Sequence, residues 1–300
     1  MPAVRANGLT IAYDSVGPEN AEAMLLVSGL GVQMTRWSDP FCALLSDHGY
    51  RVIRFDNRDA GLSTSFAGAP VPDLMQVATA VARGARPAVP YTLFDMTADA
   101  IGLLDALGIA RAHIVGRSMG GMIAQLMAAR FSGRTLSLAA IMSSTGNPDL
   151  PQASPEAMAA LMRPAPDPLQ DREGYLAHGI AMARVIGSPA YPFDETDQRT
   201  LLAAELDRAR VPGGFGRQIA AIAATGDIRR YARSINVPTL VVHGADDPLV
   251  PVAAGRDIAA SIQNADLRVI EGMGHDFPPA LYGTLASAIA GNARRAGASA

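Results

Sequence analysis

The sequence predicts an α/β fold, in which a mostly parallel, doubly wound sheet carries a helical cap. Short apolar runs of strand length recur along the chain without polar alternation, as in strands that are buried on both faces. Segments with helical spacing separate many of these runs, which is typical of a parallel sheet between helices. The predicted strands cover residues 9–13, 24–27, 51–55, 113–115, 136–141, 239–242 and 267–270.

Helix boundary signals accompany several of the segments between strands. Asp39 and Pro40 open a predicted helix over residues 41–48, and Gly108 closes another over residues 96–107. A proline-bounded insertion at residues 66–92 contains a short predicted helix at residues 74–83.

One long stretch interrupts the alternation of strands and helices. Residues 147–232 are rich in alanine, methionine and proline, and their apolar residues have helical spacing. Prolines predict an irregular start, whereas residues 201–210 and 218–224 are predicted helices. We therefore expect a core of residues 1–146 and 233–300, with residues 147–232 as a helical cap.

Composition limits the kinds of partner. The chain has 300 residues, 49% of them hydrophobic, and a net charge of -3, which gives no basic surface for nucleic acid or anionic membranes. A single cysteine excludes an intrachain disulfide and a multi-thiolate metal site. No apolar run approaches about 18 residues, and no basic, apolar leader is evident. We expect small-molecule chemistry in the cytoplasm, without metal, cofactor, nucleic acid or membrane; a homodimer is left open.

The most informative motif is a Gly-x-Ser-x-Gly sequence centred on Ser118. It follows the predicted strand at residues 113–115 and precedes a helix-like stretch. A serine on a sharp strand-to-helix turn needs small residues two positions before and after it, and Gly116 and Gly120 supply them. The helix N-terminus offers N–H groups to an oxyanion. The motif predicts a nucleophile elbow with Ser118 as the nucleophile.

A serine nucleophile needs a base and an acid that orients the base. His275 lies in a glycine-flanked loop after the last predicted strand, and Asp247 follows the strand at residues 239–242. The carboxyl ends of parallel strands meet at one edge of a sheet, so these loops should lie near Ser118. We expect a triad of Ser118, Asp247 and His275, with Asp246 open as the alternative acid.

An oxyanion needs two hydrogen-bond donors. One expected donor is the backbone N–H of Met119, directly after the nucleophile. The other is the backbone N–H of Leu30, because Gly29 and Gly31 let the loop after residues 24–27 bend toward the substrate.

Together these motifs resemble the α/β-hydrolase superfamily over nearly the whole chain. Residues 55–63, Phe-Asp-Asn-Arg-Asp-Ala-Gly-Leu-Ser, resemble its Asp-x-Arg-Gly-x-Gly-x-Ser loop, but Asp59 replaces the first glycine and should have a structural role. Ser28 stands where many members have histidine before the oxyanion glycine. Arg117 also stands where histidine is frequent. With the Ser-Met-Gly elbow and the Gly-Met-Gly-His loop, the sequence is most similar to capped bacterial esterases of the anthracycline (aclacinomycin) methyl esterase type.

The resemblance implies an α/β-hydrolase fold and a serine hydrolase that cleaves carboxylic esters of small, largely apolar substrates through an acyl-enzyme. The same triad also serves carbon–carbon bond hydrolysis, peptidase and perhydrolase chemistry, and these alternatives stay open. A further alternative from another class is a ligand receptor with vestigial activity. The roles of Arg117 and Ser28, the acyl and alcohol groups and the pathway are left open.

Overall fold

In the computed structural model, which describes residues 1–297, eight strands form a single sheet. Residues 298–300, the end of the expected core, lie outside the described residues. The strands are β1 (Ala3–Ala6), β2 (Leu9–Val16), β3 (Glu22–Val27), β4 (Tyr50–Phe55), β5 (Ala112–Arg117), β6 (Thr135–Ile141), β7 (Thr239–Gly244) and β8 (Asp266–Ile270).

The sheet is mostly parallel, as predicted. Its order is β1-β2-β4-β3-β5-β6-β7-β8. Strands β3 to β8 run parallel to one another, and β2 pairs antiparallel with both β1 and β4. All seven predicted strands are present, each within or overlapping one of β2 to β8.

Strand β1 is absent from the sequence prediction, which missed a hairpin signal. Asn7 and Gly8 join β1 to β2, and both have a positive φ, 48° and 77°. Asn-Gly is typical of two-residue hairpins because both positions require this conformation. The four residues of β1 are too few to show a periodicity on their own. The Asn-Gly turn is the sequence feature from which this hairpin could have been predicted.

Helices cover both faces of the sheet. They are α1 (Asp39–Asp47), α2 (Leu74–Ala82), α3 (Leu93–Ala106), α4 (Met119–Arg130), α5 (Pro155–Met162), α6 (Arg172–Ile186), α7 (Glu195–Arg208), α8 (Gly214–Thr225), α9 (Arg229–Ala232), α10 (Val252–Ser261) and α11 (Tyr282–Arg294). None of these described helices is long and apolar enough to cross a membrane.

Strand β3 shows how the two cores form. Leu25 and Val27 belong to the hydrophobic core shared with α3, α4 and α10, whereas Met24 and Leu26 belong to the core shared with α1 and α11. All four side chains are fully buried. A strand buried on both faces has no polar side to expose, which explains the unbroken apolar sequence of residues 23–27 in β3.

Five helices, α5 to α9, lie between β6 and β7. The predicted helix at residues 218–224 falls within α8, and the one at residues 201–210 overlaps α7. Helix α6 was not predicted: it contains two glycines and buries only Leu176 and Ile180, so its apolar stripe is narrow. Helices α8 and α9 also pack against the core through Ala221 and Ala232.

The turn from β5 into α4 depends on two glycines. A β-carbon at Gly116 would lie 2.1 Å from the Gly120 carbonyl oxygen. A β-carbon at Gly120 would lie 2.2 Å from the carbonyl oxygen of Val27 on β3. Real β-carbons do not approach backbone atoms this closely, so α4 can start against the sheet only with glycine at both positions.

We expect Gly120→Ala to lower the free energy of unfolding by about 3 kcal/mol, because the β3 backbone cannot move aside. Urea denaturation measures this. Gly283→Ala is the matched control, since a β-carbon at Gly283 in α11 would contact nothing within 4 Å. The control should match the wild type or exceed its stability by up to about 1 kcal/mol. Equal free energies of unfolding for Gly120→Ala and the wild type would contradict this close packing of α4 against β3.

Candidate active site

Three predicted residues meet at the carboxyl edge of the sheet. Ser118 follows β5, Asp247 follows β7 and His275 follows β8. The distance from His275 Nε2 to Ser118 Oγ is 3.0 Å, and from His275 Nδ1 to Asp247 Oδ2 it is 2.7 Å. The structure therefore joins the three side chains in one hydrogen-bonded row, in the order needed for a nucleophile, a base and an acid.

The backbone at Ser118 is strained. Its φ of 54° and ψ of -125° are unusual for a residue with a β-carbon. Hydrogen bonds hold it there: its N–H donates to the Ile141 carbonyl at 2.9 Å, and its own carbonyl accepts from Ser143 Oγ at 2.8 Å. This conformation is that of a nucleophile elbow, which lifts the hydroxyl away from the helix below it.

Asp247 is an ionised, buried carboxylate. Its Oδ1 accepts from the N–H groups of Leu249 at 2.9 Å and Val250 at 2.8 Å. Burial alone would raise its pKa. The electrostatic interaction with His275 and hydrogen bonds from His243, His275 and Val250 outweigh burial and lower the pKa of Asp247 to about 2. A carboxylate at neutral pH can orient the imidazole and stabilise its protonated form.

The neighbouring Asp246 has a different role. Its Oδ2 accepts from the Gly272 N–H at 2.8 Å, and its own N–H donates to the Met273 carbonyl at 3.1 Å. Asp246 thus ties the loop after β7 to the loop that carries His275. The geometry places Asp247, rather than Asp246, against the histidine.

The two predicted oxyanion donors belong to segments next to the nucleophile. Met119 follows Ser118 in the chain, and Leu30 belongs to the loop after β3. A β-carbon at Gly29 would lie 3.3 Å from Ser118 Cβ and 3.8 Å from Ser118 Oγ, so this loop runs beside the serine. Neither the Leu30 nor the Met119 N–H donates a hydrogen bond to an acceptor within residues 1–297. Both are therefore available to a substrate oxygen.

The loop that carries His275 is held by the segment after α6. The His275 N–H donates to the Ile186 carbonyl at 2.7 Å, and the Gly274 N–H donates to Ser188 Oγ at 2.8 Å. The Ser188 hydroxyl donates in turn to Asp276. Sequence analysis missed Ser188, because nothing near it in the chain relates it to a histidine loop 86 residues away.

The two departures from the family pattern lie close to the site. The Ser28 hydroxyl is buried and has no hydrogen-bond partner in the described chain, while its carbonyl accepts from Asn57 Nδ2 at 3.0 Å. The Arg117 guanidinium lies 5.1 Å from the centre of the Trp37 ring and 5.9 Å from that of Phe277. Burial and the nearby charge of Arg36 lower the pKa of Arg117 to about 10, so it stays charged at neutral pH.

Asp59 takes a structural role, as expected. It has a φ of 62°, and its carboxylate accepts from Arg217 Nε at 2.8 Å, Arg217 Nη2 at 2.9 Å, Tyr91 Oη at 2.6 Å and the Phe66 N–H at 2.7 Å. Burial alone would raise the pKa of Asp59, but these hydrogen bonds lower it below its ordinary value. The pair with Arg217 fixes α8 to the loop after β4.

No group of three or more histidine, cysteine, aspartate or glutamate side chains is placed to hold a metal ion among residues 1–297. The single cysteine, Cys42, is buried in α1, and burial raises the pKa of its thiol to about 11.

The lowered pKa of Asp247 predicts a loss of stability in acid. A carboxyl group whose pKa is lower in the folded protein than in the unfolded chain, where it is about 3.8, stabilises the fold above that pH. This stabilisation is lost as the pH falls toward 2. We expect the unfolding free energies of wild type and Asp247→Asn to converge by about 2 kcal/mol between about pH 5 and pH 2, measured by urea denaturation. A difference in unfolding free energy between the two proteins that does not change with pH would contradict this prediction.

Known proteins resemble this chain over most of its length. The model of the family described as serine aminopeptidase, S33 matches residues 18–278. The rhodomycin D methylesterase DauP of Streptomyces sp. (strain C5) is 27% identical over 96% of this chain and 96% of its own. The 2-hydroxy-6-oxononadienedioate/2-hydroxy-6-oxononatrienedioate hydrolase of Burkholderia vietnamiensis is 30% identical over 89% of this chain and 85% of its own. The solved enol-lactonase from Burkholderia xenovorans LB400 is 26% identical, with a TM-score of 0.67, over 99% of this chain and 100% of that chain. The chain is therefore an enzyme that belongs to the serine aminopeptidase S33 family of α/β-hydrolases.

Proposed function

We propose that this enzyme hydrolyses carboxylic esters of small, largely apolar substrates through an acyl-enzyme at Ser118. The observation that carries the proposal is the hydrogen-bonded row of Ser118, His275 and Asp247, with contacts of 3.0 Å and 2.7 Å. Similarity to a methylesterase and an enol-lactonase supports ester cleavage.

Acylation follows from this row. His275 Nε2 accepts the Ser118 proton while Oγ attacks the ester carbonyl carbon, and the carbonyl π electrons move onto oxygen. The N–H groups of Leu30 and Met119 stabilise this oxyanion, and Asp247 stabilises the imidazolium. When the tetrahedral intermediate collapses, the bond to the alkoxy group breaks and His275 donates its proton to the leaving alcohol.

Deacylation repeats these steps with water. His275 removes a proton from water, whose oxygen attacks the acyl carbonyl carbon, and the second oxyanion uses the same two N–H groups. Collapse releases the carboxylic acid and returns the proton to Ser118. Each step transfers a proton or an acyl group, so the cycle requires no redox cofactor.

In this proposal residues 147–232 act as the cap over a core of residues 1–146 and 233–300. Helix α7 is fixed near the site by Arg36, whose Nε and Nη2 bind the Glu205 carboxylate at 2.8 Å and 2.7 Å. Phe215 on α8 lies against Gly31, where a β-carbon would be 2.8 Å from Phe215 Cδ2. This aromatic ring lies beside the loop that carries Leu30, and it favours an apolar substrate group.

Peptide cleavage at an amino terminus is a second candidate, because the matching family is described as serine aminopeptidase. The same triad serves both reactions. A p-nitrophenyl ester and proline p-nitroanilide, assayed on one preparation, separate them. A cytoplasmic location and the lack of nucleic-acid and membrane partners stay predictions from the sequence, and a homodimer stays open.

We expect Ser118→Ala to abolish p-nitrophenyl ester hydrolysis, because no other group in the row can form the acyl-enzyme. Initial rates for wild type and variant measure this, with surface Ser234→Ala as a control that should retain wild-type activity. Wild-type turnover by Ser118→Ala would contradict the proposal.

Asp247→Asn should lower kcat by about 10³- to 10⁴-fold, because the neutral amide no longer stabilises the imidazolium and favours the wrong histidine tautomer. Asp246→Asn is the matched control: its amide oxygen can still accept from Gly272, so kcat should stay within about threefold of wild type. Steady-state kinetics on both variants decide between the two aspartates. A greater loss in Asp246→Asn would reassign the acid.

A further inference from the structure

Gln218 on α8 connects two loops beside the nucleophile. Its Oε1 accepts a hydrogen bond from the Gly31 N–H at 2.7 Å, and its Nε2 donates to the Arg58 carbonyl at 2.7 Å. The side chain is fully buried. Loss of this amide would leave the carbonyl of buried Arg58 without this donor. It would also release the Gly31 N–H, so α8 would no longer hold the loop after β3.

The peptide group that carries the Leu30 N–H lies between two peptide groups that are fixed by hydrogen bonds to side chains. On one side, Asn57 Nδ2 donates to the Ser28 carbonyl at 3.0 Å. On the other side, Gln218 accepts from the Gly31 N–H. Glycines at positions 29 and 31 would otherwise give this loop wide conformational freedom, and Gly31 has a φ of 69°. The two amide side chains therefore determine the direction of the Leu30 N–H.

Gln218 is itself firmly placed. The preceding residue, Arg217, makes a two-point ion pair with Asp59, at 2.8 Å and 2.9 Å. At the start of α8, a β-carbon on Gly214 would lie 2.3 Å from the Asp59 carbonyl oxygen, so the helix and the loop are in direct backbone contact. Gln218 cannot shift unless α8 separates from the loop after β4.

We propose that Gln218 is a positioning residue that aims the Leu30 N–H at the oxyanion, and that α8 is thereby a fixed part of the active site. This inference rests on the proposed function, because it assigns Leu30 as an oxyanion donor. A misdirected donor weakens binding of the transition state and leaves ground-state binding nearly unchanged, so the effect falls on kcat.

The test is Gln218→Met, which preserves side-chain length and removes both hydrogen bonds. We expect kcat for a p-nitrophenyl ester to fall about 10- to 100-fold, with KM within about twofold of wild type. The inhibition constant of a trifluoromethyl ketone, which forms a tetrahedral adduct with a reactive serine, should rise by the same factor as kcat/KM falls.

Asn292→Leu is the matched control. Asn292 is another buried amide, on α11, and its Nδ2 donates to the Leu138 carbonyl at 2.9 Å. Its replacement should lower thermal stability without changing kcat or affinity for the ketone. If circular dichroism shows that Gln218→Met is unfolded at the assay temperature, Gln218→Ala replaces it, because water can then fill the space without holding the loop.

Each outcome is decisive. A folded Gln218 variant with wild-type kcat and wild-type affinity for the ketone overturns the inference, as does an equal loss of kcat in Asn292→Leu. A wild-type enzyme that neither hydrolyses the ester nor binds the ketone overturns the proposed function itself. An active wild type with an unaffected Gln218 variant overturns the positioning role alone.

Discussion

The close packing of α4 against β5 is the constraint on which the rest of the site depends. Gly116 and Gly120 allow the backbone of α4 to lie directly against the sheet. The chain therefore turns from β5 into α4 at a single residue, Ser118, whose φ of 54° is unfavourable. The hydrogen bond to Ile141 and the contact with Ser143 hold that conformation. The result is a hydroxyl at the edge of the sheet, above a helix N-terminus, where the loops after β3, β7 and β8 converge.

The segment between β6 and β7 holds these loops in place. Ser188, after α6, supports the loop of His275, and Gln218 on α8 supports the loop of Leu30. The buried pair of Asp59 and Arg217 joins α8 to the core. A buried ion pair adds little net stability over an apolar pair, but breaking it is costly, so it selects one docked position of the helix. The segment between β6 and β7 thus contributes directly to the geometry of the site.

Much of this could be predicted from the sequence, since the deciding signals are local. The glycines around Ser118 are required by a backbone contact within a few residues, and apolar strands buried on both faces predict a parallel sheet. The sequence favours Asp247 as the acid but leaves Asp246 open, because adjacent side chains differ only in the direction in which they point. Gln218 and Ser188 were missed for another reason: each contacts a loop far away in the chain, and an isolated glutamine or serine gives no local pattern. Strand β1 was predictable from Asn7 and Gly8.

The central claim is that the reaction proceeds through an acyl group on Ser118. It is tested most directly by mixing the enzyme with an excess of p-nitrophenyl ester, quenching with acid within milliseconds and analysing its peptides by mass spectrometry. The account predicts the mass of one acyl group on Ser118, with a matching burst of p-nitrophenol and no adduct in His275→Ala. Rapid turnover with no acylated peptide after quenching across the pre-steady-state period, or an acyl group on another residue, would contradict it.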